Sequence, residues 1–521
     1  MAILMSATIL SGTGAVAASA YTESDIVETS TTIRSADDAS VTEFTFDKKT
    51  GELTLEKCCD ADFEYGNGEP GDNVPWNNFR DEIKTVSFSK EIESIPDGCF
   101  RECVNLKKVT VPENVKSIGR MAFYECESLD HIELPSKLES IGAYAFDYTA
   151  YYSHSRNWDE IGKGLYIGNY LISVVSTVSN FKARDDTTLI AGLAFRHTDL
   201  LEAVSLPESL KYISEYAFAG RYRLTSVNIP ASVKTIGKGA FEQCSALENV
   251  TLNEGLENID ERAFGECKNL TEIKLPSTVK YIGEYAFEQC PKVRSISFGE
   301  GIEEIGDLAF TNCGSLTEIN FPSTLKKIGF YSFCGCRSLS EVTVPEDAEE
   351  ISSGAFSYCS GLKEITIPES VTAIDKDAFK GCVEGFTIKG YKDTAAHKYA
   401  DENNIKFFDL DAQEEMTDCD KPNTMTVKAK AKAIKAKSLR AKNQKVKLFT
   451  VKNAQGKVEY KLLAVSKKLK GKVSVNKKGV FTFKKGKYKK GVFKLKVKIR
   501  AYGNEEYLPL SVKKVVKVKI K

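Results

Sequence analysis

Residues 236–258 read IGKGAFEQCSALENVTLNEGLEN, and residues 259–281 read IDERAFGECKNLTEIKLPSTVKY. The two 23-residue stretches align without a gap. Ala240-Phe241 matches Ala263-Phe264, Cys244 matches Cys267, and Leu247, Val250, Leu252 and Leu256 match Leu270, Ile273, Leu275 and Val279. The register extends outward in both directions. Its phenylalanine stands at Phe100, Phe123 and Phe146, then at Phe195, Phe218, Phe241, Phe264, Phe287, Phe310, Phe333, Phe356 and Phe379, always 23 apart within each block. One unit carries apolar residues at Phe, Phe+3, Phe+6, Phe+9 and Phe+11 and has no way to bury them alone. Stacked units bury them against one another.

A fixed period in the twenties is the signature of a leucine-rich-repeat type solenoid. Within each coil the Phe+9 to Phe+11 segment is a short β-branched alternation, as in Val109-Thr110-Val111, Ile132-Glu133-Leu134 and Ile365-Thr366-Ile367. It predicts a strand. A proline follows in most units (Pro112, Pro135, Pro207, Pro230, Pro276, Pro322, Pro345, Pro368) and ends it, having no N–H for a ladder. Successive strands, ~4.8 Å apart, predict one parallel β-sheet along the concave face. The Gly-x-x-Ala-Phe stretch is expected to supply a tight return turn.

Nine of the fourteen cysteines sit at Phe+3: Cys103, Cys126, Cys244, Cys267, Cys290, Cys313, Cys336, Cys359 and Cys382. Fourteen cysteines in a secreted chain point to disulfides. In register, each is instead the same inward position of its coil, which favours a ladder of buried thiols. Pairing between neighbouring coils stays open, because their Cα atoms approach bridging distance. Cys334-Gly335-Cys336 and Cys58-Cys59 are too isolated to read as zinc sites.

The unit IGKGAFEQCSALENVTL resembles the BspA-type leucine-rich repeat of secreted bacterial surface proteins. Pro75-Trp76-Asn77-Asn78-Phe79-Arg80 resembles the family's N-terminal cap, with Phe44 to Leu55 as its hairpin. GLYIGNYLI at 164–172 resembles its degenerate mid-array coil, and IKGYKDTAAHKYADENNIKFF at 388–408 its terminal coil and closing helix. The organisation expected is a signal peptide (1–20), a linker (21–40), a cap (41–80) and a solenoid (81–408) with a degenerate coil at about 147–194. A linker (409–424) and a basic module (425–521) follow. The resemblance implies adhesion to host or matrix, with no residue-level binding motif to carry over.

The formal net charge of zero hides a segregation. Residues 421–521 hold 33 Lys and Arg against 3 Asp and Glu, and residues 1–420 hold 39 against 69. The first twenty residues are apolar and small and end in Ala18-Ser19-Ala20, like a secretory h-region and its cleavage site. No Lys or Arg precedes them, which leaves a truncated start or a plain tail open. No later apolar run is long enough to span a membrane. Lys521 closes the chain without a sorting motif, so retention at the bacterial cell surface is expected to be noncovalent.

From Pro422 onward the apolar period becomes two, as in Phe493-Lys494-Leu495-Lys496-Val497-Lys498-Ile499. Turn signals at Asn453–Gly456, Lys478-Gly479 and Gly503-Asn504 divide the runs, which predicts a β-sandwich. The segment resembles the lysine-rich, immunoglobulin-like modules that close many secreted bacterial proteins. Its outward lysines form either a solvated face or a contact for a polyanion. Export makes an anionic cell-wall polymer such as teichoic acid the expected partner. Nucleic acid is disfavoured, because few aromatics interleave the lysines.

The sequence predicts no enzyme, no cofactor and no metal. His131, His154, His197 and His397 lie in different coils, and no HExxH, GxSxG or P-loop occurs. Glu318, Glu341 and Glu364 recur at Phe+8 and read as a solvated stripe more readily than as a glycosidase pair. Two surfaces are candidates for a partner, an extracellular protein or glycan. One is the outward strand positions Phe+8 and Phe+10, including Asn228, Lys274, Glu318, Asn320, Glu341 and Glu364. That face carries no aromatic, so it predicts weak, polar or multivalent recognition. The other is the cluster Tyr148, Tyr151, Tyr152, Arg156 and Trp158, beside His154, where the period breaks. It is either a functional loop or a plug for the misfit between two solenoid blocks. The sequence thus reads first as a secreted adhesion scaffold. The alternative is a structural envelope component held to wall polymer by the basic module.

Overall fold

The structure, a computed structural model, describes residues 29–34, 41–58, 74–159, 163–410 and, between 425 and 520, most strands of a second unit. The signal-like segment, the 411–424 linker and Cys59 lie outside the described residues. The chain divides into two compact units, Met1–Phe407 and Phe408–Lys521.

The first unit is a parallel-strand solenoid. Each coil contributes a strand at Phe+8 to Phe+10, as in Lys108–Thr110, His131–Glu133 and Glu272–Lys274. The strand begins one residue earlier than the alternation predicts. Position Phe+11 still continues the ladder, since Val111 N–H donates to the Glu133 carbonyl at 2.9 Å. A second, two-residue strand stands at Phe−6 and Phe−5, as in Ser94–Ile95, Tyr212–Ile213 and Thr235–Ile236. The coils therefore carry two parallel ladders, not one sheet. Both are in register at the repeat length, with Ile296 opposite Ile319 in one and Ile213 opposite Ile236 in the other.

The return arm around each Phe also hydrogen-bonds from coil to coil. Arg262, Phe264 and Glu266 donate their N–H groups to Glu284, Ala286 and Glu288 of the next coil at 2.8–2.9 Å. The residues between them donate three positions back within their own coil, as Gly265 does to Arg262. Alternating the donors in this way needs left-handed backbone at Phe−2 and Phe+2, and Arg262 and Glu266 have φ of 55° and 56°. Left-handed conformations cost a non-glycine residue ~1–3 kcal/mol, and persist where surrounding bonds over-determine them. The Phe−4 glycines open the expected turn, as Gly283 does by accepting from Ala286 N–H at 3.3 Å, and they serve a second purpose. A Cβ on Gly283 would stand 2.4 Å from the Glu261 nitrogen, so glycine there admits the close approach of the preceding coil. Gly239, at Phe−2 with φ 57°, needs both freedoms, because the Tyr216 ring fills its Cβ site at 2.3 Å.

The core is a column of rings. Phe100, Phe123 and Phe146 stack at 5.4 and 5.5 Å, and Phe195 through Phe379 continue at 4.2–5.8 Å. Trp76 closes the first end, fully buried, stacked on Phe100 at 5.6 Å and donating its Nε1–H to the Cys99 carbonyl. The hairpin of Val41–Asp47 and Glu52–Lys57 adds its second strand in parallel to Thr85–Phe88. At the other end Tyr399, on the helix Ala395–Glu402, meets Phe379 edge-on.

The column breaks between Phe146 and Phe195. There the hairpin Gly164–Ile167 and Tyr170–Val174 is buried on both faces. Leu165, Ile167, Tyr170 and Ile172 enter the first block's core, while Tyr166, Leu171 and Val174 enter the second's. This explains why GLYIGNYLI is almost continuously apolar: it lies between two cores instead of between one core and water.

The second unit is all-β with its own core. Gly491–Ala501 pairs antiparallel with Leu510–Ile520 and with Val458–Val465, and Lys432–Ile434 runs parallel to Leu510–Ile520. Gln444–Lys447, Val480–Phe483 and Val473–Val475 form a further antiparallel sheet. Phe481, Leu495, Val497 and Val518 are fully buried.

Candidate binding surfaces

Alternation on the first ladder places Phe+9 inside and its neighbours outside. Asn228, Lys274, Glu318, Asn320 and Glu341 are exposed, and Glu364 is half-buried. The side chains engage one another along the ladder. Lys274 Nζ lies 2.8 Å from Glu272, Asn320 donates to Glu318 at 2.9 Å, Asn253 donates to Asn228, and Lys389 pairs with Glu364 at 2.5 Å. Glu341 and Glu364 are in-register partners on adjacent strands. Glu133 accepts from Thr110 and Lys108, which hold its carboxyl below its ordinary range, and exposed His131 lies 3.3 Å away. Such exposed pairs are worth under ~1 kcal/mol each, so this face is a solvated polar surface that a partner could displace at little cost.

The structure separates the residues of the period break. Tyr148 is 60% exposed, its ring edge-on to Tyr124 at 5.3 Å. Arg156 is exposed and pairs with Asp130 at 2.6 Å, as does His154 at 2.8 Å; these bonds lower the Asp130 pKa, His154 contributing most. Tyr151, Tyr152 and Trp158 turn inward. Tyr151 donates its hydroxyl to the Tyr166 carbonyl at 2.7 Å, and burial pushes that phenol up. Trp158 donates to the Tyr152 carbonyl at 2.9 Å, and their rings meet edge-on at 5.4 Å. All three pack against the first block's core.

Beside them lies a polar cluster that the sequence signals only at fixed repeat positions. Asp147 and Arg196, both at Phe+1, form a buried ion pair across the break, and Arg196 also donates to the Tyr152 hydroxyl at 3.1 Å. Burial raises the Asp147 pKa against the opposing pull of Arg196. At Phe+3, where other coils have cysteine, the break has Thr149, Thr198 and Arg221. The two threonines bond their own coil's Phe carbonyl at 2.8 and 2.7 Å. Arg221 is buried beside Asp199 at 3.2 Å.

In the regular coils the cysteines are free thiols. From Cys126 on, each Phe+3 thiol leans on the Phe carbonyl of the preceding coil, from Cys126 on Phe100 at 3.1 Å to Cys382 on Phe356 at 3.5 Å. Burial pushes Cys244 and Cys313 up to about 12. These thiols are protonated at physiological pH and poor nucleophiles. Among the described residues no group of three or more His, Cys, Asp or Glu converges as a metal site.

In the second unit the described lysines point outward. Lys494, Lys496, Lys517 and Lys519 are exposed between buried Leu495, Val497, Val516 and Val518.

A family model of the BspA type leucine rich repeat region matches in six copies over residues 76–175, 165–291 and 257–384. The chain belongs to the BspA-type leucine-rich repeat family. Among solved structures it is similar to a leucine rich cell surface protein from Faecalibacterium prausnitzii A2-165, at 25% identity over 71% of this chain and 97% of that one, TM-score 0.35. A leucine-rich repeat protein from Bacteroides ovatus shares 23% identity over 74% and 99%, TM-score 0.36. The pneumococcal vaccine antigen PcpA shares 18% over 73% and 99%, TM-score 0.34. No curated protein matches. Among the described residues no helix is long and apolar enough to cross a membrane.

Proposed function

We propose that this BspA-type chain is a secreted bacterial surface protein that binds rather than catalyses. Its solenoid takes an extracellular protein or glycan, and its basic module holds anionic wall polymer. Family membership supports the scaffold, and the signal-like first twenty residues support export. Solenoids recognise partners through extended faces. The in-register polar face that includes Asn228, Lys274, Glu318, Asn320, Glu341 and Glu364 is such a face, with exposed Tyr148 and Arg156 at its break.

The observation that carries the anchoring role is the lysine face of the second unit. Exposed Lys494 and Lys496 lie on the strand paired with that of exposed Lys517 and Lys519, and Lys494 stands opposite Lys517 in the antiparallel register. A polyanion laid across that face meets several cations at once. The parallel pairing of the short Lys432–Ile434 strand with the last strand supports the immunoglobulin-like reading.

Each unit has its own core, so the test uses them separately. The basic module should bind isolated cell walls or purified teichoic acid at low salt and elute as salt rises, since the screening length is ~8 Å at physiological ionic strength. The solenoid should leave walls unbound and retain the extracellular ligand in a pull-down from matrix. Wall binding by the solenoid alone, or salt-insensitive binding by the basic module, would refute the division of labour.

A further inference from the structure

The break does more than join two blocks. It brings the second ladder of the first block against that of the second and leaves a cleft of about 530 Å³ between them. Ser94, Ser117 and Ser140 line one wall, one from each coil, and Tyr212 and Thr235 line the other. The coil after the break still bonds the last strand of the first block, through Gly192 N–H on the Ile141 carbonyl at 2.8 Å. The Ile141 N–H is met by the Ser214 hydroxyl at 3.2 Å, and Ala143 N–H by the Glu215 carboxylate at 3.1 Å. These bonds, with the Arg120–Glu215 pair at 3.5 Å, fix the opening of the cleft.

We infer that this interblock cleft binds a neutral oligosaccharide, with Tyr212 as the stacking platform and Glu139 and Asp260 as hydroxyl acceptors. The inference deepens the scaffold reading and rests on it. Tyr212 packs in part against the first block's core and presents its remaining surface to the cleft, which holds the ring rigid for stacking on a sugar's C–H face. Glu139 and Asp260 also line it, and among the described residues neither carboxylate takes a hydrogen bond or an ion pair. A saccharide hydroxyl supplies the missing donor. The serine row repeats once per coil, ~4.8 Å, close to the length of one sugar ring.

The other charged groups of the cleft are already satisfied: Glu215 holds Arg120, Lys238 holds Glu261 at 2.9 Å, and Asp97 accepts from Arg120 N–H. No cation is left to attract an acidic polymer. Glu139 borders Ser140 of the first block and Asp260 borders Ile259 of the second, so the two carboxylates come from different blocks. Exposed Tyr281 continues the ladder beyond Tyr212, three coils on, and offers a second platform to a longer chain.

The test titrates the full chain by calorimetry with neutral hexasaccharides of glucose, mannose, xylose and N-acetylglucosamine, a lysine-rich peptide and heparin. One hexasaccharide should bind with Kd below ~1 mM, and Tyr212→Ala and Asp260→Asn should each weaken it about tenfold. Asp260→Asn keeps the shape of the cleft, and an unchanged melting curve separates lost contacts from lost fold. Lys274→Ala, on the first ladder, should leave the sugar affinity unchanged. Absence of hexasaccharide binding, equal binding by both cleft variants, or binding of the peptide or heparin alone would overturn the assignment. If Lys274→Ala abolishes capture of an extracellular protein that both cleft variants still bind, the scaffold reading stands and the cleft proposal falls.

Discussion

Replacing Phe264 by alanine tests the stacked-coil architecture at its centre. The ring is fully buried, with Phe241 on one face and Phe287 on the other, both at 5.2 Å and within 6° of parallel. Phe→Ala in a core that cannot collapse costs ~3–5 kcal/mol. Collapse is hindered here, because the backbone on both sides is pinned by the inter-coil bonds from Phe264 N–H and Phe241 N–H. The upper half of that range is therefore expected. Coils contact only their neighbours, so the loss should also uncouple the array on either side of the gap. Urea unfolding of the full chain, followed by circular dichroism, should show a lower midpoint and a shallower or split transition. Phe379→Ala should cost less and leave the slope intact, because its neighbours on one side are the closing elements Phe386 and Tyr399. A midpoint shift worth under ~1 kcal/mol for Phe264→Ala, or equal effects at the two positions, would refute the coupling argument.

Three further outcomes follow from the same structure. The thiol ladder should make the solenoid sensitive to alkali: burial raises the folded pKa values of Cys244 and Cys313 to about 12, above the ordinary thiol value of 9.0. Their contribution is intact below pH 9 and is lost as pH rises towards 12, and Cys244→Ala with Cys313→Ala should flatten that decline; an unchanged slope, or a Cys267–Cys290 bridge found by mass spectrometry, would contradict it. Gly283→Ala should lower the melting temperature by several degrees, since its Cβ would meet backbone atoms of the preceding coil at 2.4–2.5 Å; a neutral result would mean the coils can spread. Arg196→Met should cost ~3–5 kcal/mol near neutral pH by stranding the Asp147 carboxylate. The Asp147 pKa is already raised by burial, so the variant should regain stability as pH falls; adding Asp147→Asn should restore much of the loss at all pH values.

The part of the fold legible in the sequence is the part that repeats. A residue whose neighbours along the solenoid axis are copies of itself must satisfy the same constraint a dozen times, so Phe264, Cys267 and Ile273 announce burial by recurrence. The second ladder escapes this logic. Its two-residue strands are too short to alternate, and their outward position varies freely from Ser117 to Tyr212 to Glu304. The outward positions of the first ladder that are described carry no Trp, Tyr or Phe, whereas Tyr212 and Tyr281 stand on the other. The left-handed residues are hidden for a related reason. The conformation at Phe−2 is imposed by bonds to the next coil, so Arg262, Tyr285 and Leu308 adopt it as readily as Gly239, and no glycine signature marks it.

The break shows how far position alone can carry chemistry. Its polar core is built at repeat positions, Phe+1 and Phe+3, which elsewhere hold mostly half-buried or buried side chains and thiols. Asp147 meets Arg196 there, and the Ser214 and Glu215 side chains take the Ile141 and Ala143 N–H groups. A solenoid that ran straight through would have left Tyr212 on a uniform ladder face with no opposing wall, as Tyr281 is. Interrupting the stack turns one repeating surface into two that face each other, and this is how a scaffold of near-identical coils acquires one place unlike the rest.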